Sequence, residues 1–138
     1  MKEFQDVLNE IKFGSVLFID SINNDSYNGY IREYDGDIFL DIKTVKVENV
    51  IESNPNIKKL LDNDYIFQIA YDYENRKYIS SIYKGEFNIS KKNIDIEEDT
   101  IYYQTSSSTM IDSIIELDTM IINMNKNQLP KVKKQIYA

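Results

Sequence analysis

The sequence predicts an α+β fold: a mainly antiparallel β body of short hairpins, with a short N-terminal helix before it and a C-terminal amphipathic helix after it. Three observations carry this. From Val16 to Ile51, short runs of alternating apolar and polar residues are separated by Asn, Asp and Gly, the pattern of consecutive antiparallel strands. Farther on, Tyr65, Phe67, Ile69, Tyr71 and Tyr73 recur at period two. From Met110 the period becomes helical, with Met110, Ile114, Leu117, Ile121 and Met124 in a 4-3-4-3 spacing.

Each element follows from local composition. Phe4, Val7, Leu8 and Ile11 share one helical face over Met1 to Lys12, and Gly14 supplies the stop. Ser15 to Ile22 is too apolar for one-sided alternation and reads as a strand buried on both faces or at a barrel closure. Asn23-Asn24-Asp25-Ser26 is a turn, because Asn and Asp tolerate left-handed backbone and bond to it. Tyr27 to Tyr34 is a second strand. Asp35-Gly36 suits a type I′ hairpin turn, and Ile38, Leu40 and Ile42 give the third strand an apolar face. A fourth strand is expected over Thr44 to Ile51, ended by Glu52-Ser53-Asn54-Pro55, and Pro55 opens a short helix through Leu61.

The second half begins after Asp62-Asn63-Asp64. Tyr65 to Tyr73 and Lys77 to Tyr83 read as a hairpin turning at Glu74-Asn75-Arg76, and Ile94 to Ile96 and Thr100 to Gln104 as the last strands. Tyr83 to Ile89 echoes Tyr34 to Leu40 as aromatic, x, Gly, acid, apolar, x, apolar, a pattern that two unrelated β-hairpins also share. Gln104 to Thr109 is expected to be a polar linker, and Thr109 with Asp112 resembles a capping box for a helix from Met110 to about Asn127, which Pro130 ends. Ile111, Ile115, Met120 and Ile122 widen its apolar arc beyond one stripe, so the helix is either wedged deep against the β core or covered on two faces by different partners. The expectation is that one face docks on the sheet and the other on a second copy, with Ile114, Leu117, Ile121 and Met124 as the self-association residues. The organisation expected is residues 1–62 as helix plus barrel, 63–104 as a second β-rich region in the same domain or a second small barrel, and 105–138 as linker and helix.

Composition narrows the chemistry. Among 138 residues there is no Cys and no His, which removes disulfides, thiolate metal sites, cysteine nucleophiles and every His-based triad. Catalysis would fall to carboxylate, Lys or Tyr, and the expectation is a non-enzyme with no cofactor and no metal. A net charge of -7 repels a phosphate backbone. The amino end lacks a signal-peptide core and no run is long enough to span a membrane, so the expected location is cytoplasmic. The calcium-loop spacing of Asn24, Ser26, Asn28, Gly29 and Asp35 lacks a charged first ligand and a final Glu, and reads as a hairpin turn.

Gly29-Tyr30-Ile31-Arg32-Glu33-Tyr34-Asp35, followed by Gly36 to Ile42, resembles the first Sm motif: Gly, x, apolar, two residues, an aromatic and Asp before an alternating strand. The preceding helix and the run into Asn54-Pro55 are similar in order to an Sm-like, Hfq-like or SH3-like barrel over about the first 55 residues. The resemblance implies a ring-forming RNA-binding oligomer. The chain departs from the family at the residues that grip RNA: Phe39 stands where Sm proteins carry a base-contacting Asn, and Val45 to Ile51 has neither the Tyr-Lys-His nor the Arg-Gly of the second motif.

There are 11 tyrosines. Alternation places Tyr30, Arg32 and Tyr34 on one strand face, and Tyr with Arg suits a contact surface because both combine large area with polar tips. The expected binding surface is Tyr27, Tyr30, Arg32, Tyr34 and Asp35. The expected role is non-catalytic binding of another protein, as an adaptor, an immunity-type protein or a mobile-element inhibitor, with RNA binding or small-nucleotide binding as alternatives.

Overall fold

The amphipathic N-terminal segment folds as a single 3-10 turn over Phe4–Val7 running into helix α1, Leu8–Lys12, with Val7 and Ile11 buried. The computed structural model describes residues 3–23, 26–35, 38–88, 93–96 and 102–125. Asn24 and Asp25, Gly36 and Asp37, all expected in turns, the charged Lys91-Lys92 and Glu97-Glu98-Asp99, and the segment with Pro130, Lys131, Lys133 and Lys134 lie outside the described residues.

Among the described residues seven strands follow: β1 Ser15–Asn23, β2 Ser26–Asp35, β3 Ile38–Val45, β4 Tyr65–Asp72, β5 Lys77–Asn88, β6 Asn93–Ile96 and β7 Tyr102–Ser107. The α+β class, mainly antiparallel, is as the sequence predicts. The strand order is β3-β2-β1-β4-β5-β6, with β7 also on β5, and every pairing is antiparallel. The two β regions form one sheet, because β1 pairs with β4 through Leu17↔Ile69, Phe18↔Gln68 and Ile19↔Phe67. Along the long β5, β7 pairs with Tyr78 to Tyr83 and β6 with Gly85 to Asn88. Opposite Arg32 the β2–β3 ladder slips, since two steps on β2 from Ile31 to Glu33 match three on β3 from Lys43 to Leu40. Such a bulge bends the strand that carries it.

Two sequence expectations are corrected. Thr44 to Ile51 is not a fourth strand: β3 stops at Val45, and α2, Glu48–Glu52, and α3, Pro55–Leu61, take over. Val47 and Ile51 are both buried, and their four-residue spacing serves a helical turn as well as alternation serves a strand. Nor is Gln104 to Thr109 a linker, because β7 runs on to Ser107. Its Thr105 hydroxyl donates to the Ser113 carbonyl at 2.6 Å, tying the strand to the last helix.

That helix is α4, Met110–Asn125. Its expected cap is present, with the Asp112 amide donating to Thr109 Oγ1 at 3.1 Å. It packs on β5, β7 and α3. Met110, Ile114, Leu117 and Ile121 join Leu17, Ile19, Ile31, Phe67, Ile69 and Ile82 in the main core. Ile114, Leu117 and Ile121, expected to meet a second copy, are therefore spent inside the chain; Met124 lies in the last turn of α4. The heptad stripe is the sheet-facing one, because a sheet offers a helix the same narrow apolar seam that a second helix would.

Three close fits lock the layers. The Asp118 carboxylate on α4 accepts from the Asn56 and Ile57 amides, both at 2.9 Å, and from Asn56 Nδ2 at 3.0 Å, so it caps α3 from another helix. The buried Ser80 and Ser113 hydroxyls meet at 2.7 Å, small enough to let α4 approach β5 closely. At Gly29 a Cβ would lie 2.5 Å from Val47 Cγ1 and 2.7 Å from the Val45 carbonyl oxygen, so only glycine lets the end of β3 cross β2.

Candidate functional site

The strand alternation that was to expose Tyr30 and Arg32 instead turns them into a second, smaller cluster on the sheet face opposite the helices. It contains Phe18, Tyr30, Ile66 and Tyr83, with Val16 packed beside them. Arg32 is 1% exposed and its guanidinium carbon lies 4.0 Å from the Phe18 ring centroid. Burial pushes its pKa down to about 9, with the nearby Tyr83 acting the other way. Tyr30 is buried too, and its phenol is raised by burial and by the charge of Asp20. Tyr27 faces the main core and donates its hydroxyl to Asp62 Oδ1 at 2.8 Å. The binding-surface expectation is thus corrected for Tyr27, Tyr30 and Arg32, which are interior residues; Tyr34 and Asp35 are placed at the end of β2. The physical reason is that a guanidinium stacked on an aromatic ring is well suited to burial, so an Arg between two Tyr does not by itself mark a surface.

Among the described residues, the exposed aromatics lie elsewhere. Phe13, the residue after α1, is 82% exposed, and Tyr73, the residue after β4, is 58% exposed. With Lys12, Tyr71 and Arg76 they line one cleft of about 360 Å³. Each wall is fixed by local structure. The Phe13 amide donates to the Asn9 and Glu10 carbonyls and the Gly14 amide to Ile11, which ends the helix on a Gly14 with φ +108°. A Cβ at Gly14 would lie 3.5 Å from the Tyr73 hydroxyl, so Tyr73 rests over the glycine beside Phe13.

On the other wall, Asp72 organises the hairpin tip. Its Oδ1 accepts from the Glu74 and Asn75 amides at 3.0 and 3.4 Å, and its Oδ2 from Asn75 Nδ2 at 2.7 Å. The Asn75 side chain is the main cause of the lowered Asp72 pKa, and the two backbone amides add to it. Arg76 closes the turn at φ 53°, a conformation the hydrogen-bonded loop imposes on a non-glycine residue. Tyr73 is backed by an edge-to-face series, Tyr73 to Tyr71 at 5.4 Å and Tyr71 to Tyr78 at 4.9 Å, that runs from solvent to the buried Tyr78.

A second surface of opposite character lies on α4. Ile111, Ile115 and Ile122 are 51%, 51% and 38% exposed, on the side away from the core stripe. Exposed Asp112 lies beside Ile115, three residues on, while exposed Glu116 points to another side of the helix. Ile111 also lines a groove of about 450 Å³ with Glu3, Phe4, Lys46, Glu48 and Val50, in which Lys46 is paired to Glu3 at 3.2 Å.

Phe13, Arg76 and Lys12 were not singled out by sequence reasoning, and Tyr73 only as one of a tyrosine group. The available signal was Phe13 itself, an aromatic off the Phe4-Val7-Leu8-Ile11 stripe and next to glycine. Among the described residues no group of carboxylates is gathered to hold a metal ion, and no helix is long and apolar enough to cross a membrane. No protein-family model, curated protein or solved structure matches the chain.

Proposed function

We propose that the chain is a non-catalytic binding protein, of the adaptor, immunity or inhibitor kind, whose contact surface for a partner protein is the patch of Lys12, Phe13, Tyr73 and Arg76. The observation that supports it is the 82% exposed Phe13 beside a turn-anchored Tyr73. Leaving a Phe ring in water forgoes on the order of 2 kcal/mol that burial would supply, and a partner recovers it. Aromatic residues and Arg are the types that dominate interface energetics, and here they sit on elements already ordered, which lowers the entropy cost of docking. Two cations on a chain of net charge -7 favour a partner with acid around an apolar anchor.

Affinity capture from the source cell tests this with wild type, Phe13→Asp, Arg76→Glu and, as a remote control, Lys58→Glu. A partner held by wild type and Lys58→Glu but lost by both patch variants is the expected result; equal capture by all four refutes the surface. Phe13 and Tyr73 would also stack a nucleobase, so an A/U-rich oligonucleotide is the companion probe. A shift at about 50 mM salt that Phe13→Asp abolishes would transfer the reading to RNA.

A further inference from the structure

The cleft between the end of α1 and the β4–β5 hairpin is one-sided in its hydrogen bonding. Three of its five lining residues, Phe13, Tyr71 and Tyr73, are aromatic, and the other two, Lys12 and Arg76, carry side-chain donors and no side-chain acceptor. The acidic side chains of the hairpin tip do not change this. Asp72 spends both oxygens on the turn, and Glu74 lies in the turn itself, outside the lining. What Lys12 and Arg76 bring to the cleft is therefore donors. A ligand that suits it has apolar rings, open carbonyls and few N–H groups of its own. We infer that the cleft takes a proline-rich segment of a partner protein in the polyproline II conformation. This rests on the reading of Phe13 and Tyr73 as a partner surface and names the chemistry of the anchor they receive.

Each property of that conformation answers a property of the cleft. Polyproline II makes no internal hydrogen bonds, so its carbonyls are open to outside donors, and proline removes the N–H groups for which Lys12 and Arg76 offer no acceptor. A strand laid in the same place would bring N–H groups that lose water without gaining a partner from either cation. A helix keeps its carbonyls for its own backbone and, at about 10 Å across, is too wide. At about 360 Å³ the cleft is near the small end of ligand sites, roughly 300–1,000 Å³, which suits one short stretch of chain. Order on both sides helps. The Asp72 turn and the stack on Tyr71 and Tyr78 hold Tyr73, the stop at Gly14 holds Phe13, and the ligand is itself already extended, so little freedom is lost on docking. One turn of such a ligand, about three residues over ~9 Å, is a short contact, so binding by the cleft alone is weak.

Labelled peptides titrated onto the full chain test it by fluorescence anisotropy, with amide NMR shifts to place the contact. The probes are octaproline, a Gly-Ser peptide of the same length, and an octapeptide of glutamates around one Phe. Octaproline should bind below about 1 mM and shift the Phe13, Gly14 and Tyr73 amides. The Gly-Ser peptide, which has carbonyls but neither rings nor a preset conformation, should bind at least ~tenfold more weakly. Phe13→Asp and Tyr73→Ala, both at exposed positions and checked for fold by far-UV circular dichroism, should each weaken octaproline by at least ~tenfold, and Lys58→Glu should not. Arg76→Gln, which keeps an N–H donor, should bind better than Arg76→Glu, which keeps none. No octaproline binding up to that concentration, equal binding of the Gly-Ser peptide, tighter binding of the acidic peptide, or octaproline binding that survives Phe13→Asp overturns the inference. Any of these, with a captured partner still lost by Phe13→Asp and Arg76→Glu, would leave the proposed function standing.

Discussion

Gly29→Ala is the substitution whose cost the structure fixes most tightly. In an open strand, replacing Gly by Ala is favourable by roughly 0.5–1 kcal/mol, because it removes unfolded-state freedom. Here the new Cβ would stand 2.5 Å from Val47 Cγ1 and 2.7 Å from the Val45 carbonyl oxygen. Carbon atoms in contact prefer about 3.5–4.0 Å, so the overlap is on the order of 1 Å. The valine methyl can rotate away, but the carbonyl belongs to β3, which pairs with β2 at Gly29↔Val45, and moving it opens the ladder and unseats Val47. Overpacking of this kind costs about 1–3 kcal/mol, and the lost pairing adds about 1 more. The expected net loss is about 2–3 kcal/mol, which for 138 residues lowers Tm by roughly 5–12 °C. Urea unfolding followed by circular dichroism measures it, with an unchanged slope as the sign that only stability moved. Val47→Ala alone should cost about 1–3 kcal/mol, yet in the Gly29→Ala background it should cost at least ~0.5 kcal/mol less, since it removes one of the two overlaps. A Gly29→Ala protein as stable as wild type would show that β3 does not cross β2 this closely.

Three further outcomes follow from the packing. Asp118→Ala should lose about 1–3 kcal/mol by orphaning the first amides of α3, with Asp118→Asn in between; equal urea midpoints for wild type and Asp118→Ala would refute the cap. Arg32→Ala should destabilise by about 2–4 kcal/mol through lost packing on Phe18, and Arg32→Met by less; an Arg32→Ala protein with wild-type Tm that loses its partner would return this residue to the surface. Tyr103 is 1% exposed, its hydroxyl makes no hydrogen bond among the described residues, and burial pushes it up to about 12. A phenol held above its unfolded value of about 10 binds its proton more tightly in the folded state, so its contribution is whole below pH 10 and is lost as pH rises towards 12. Melting at pH 9 to 12 should show that decline, and Tyr103→Phe should lessen it while shifting neutral stability by no more than about 1 kcal/mol.

Much of the fold was legible because it is written at short range. Period-two alternation marked β4, the apolar run marked β1, Pro55 marked α3, and Thr109 marked the start of α4. What was not legible depends on what the chain meets later. Val45-x-Val47 alternates as a strand does, but Val47 is needed over Gly29, and the chain turns into α2 to put Ile51 beneath it. The Ser/Thr run at 104–107 reads as a linker until α4 supplies the Ser113 carbonyl that Thr105 bonds. The candidate site was hidden for a related reason. Tyr30 and Tyr73 are the same residue type at the same period, and only the position of the sheet's end decides that one is covered and the other is not. On α4 both apolar stripes were visible, but which one the sheet would claim was not.

The pairing of β1 with β4 also bears on how the chain folds. β1 to β3 and β4 to β7 are each built from neighbouring segments, whereas the rungs Leu17↔Ile69 and Ile19↔Phe67 join residues about fifty positions apart. Two local meanders should form early and cheaply, and closing the loop that contains α2 and α3 carries the entropy cost that sets the rate. Until that seam zips, each meander presents β1 or β4 as a bare, strongly apolar edge. The hazard for this protein during synthesis is then an exchange in which β1 of one chain pairs with β4 of another.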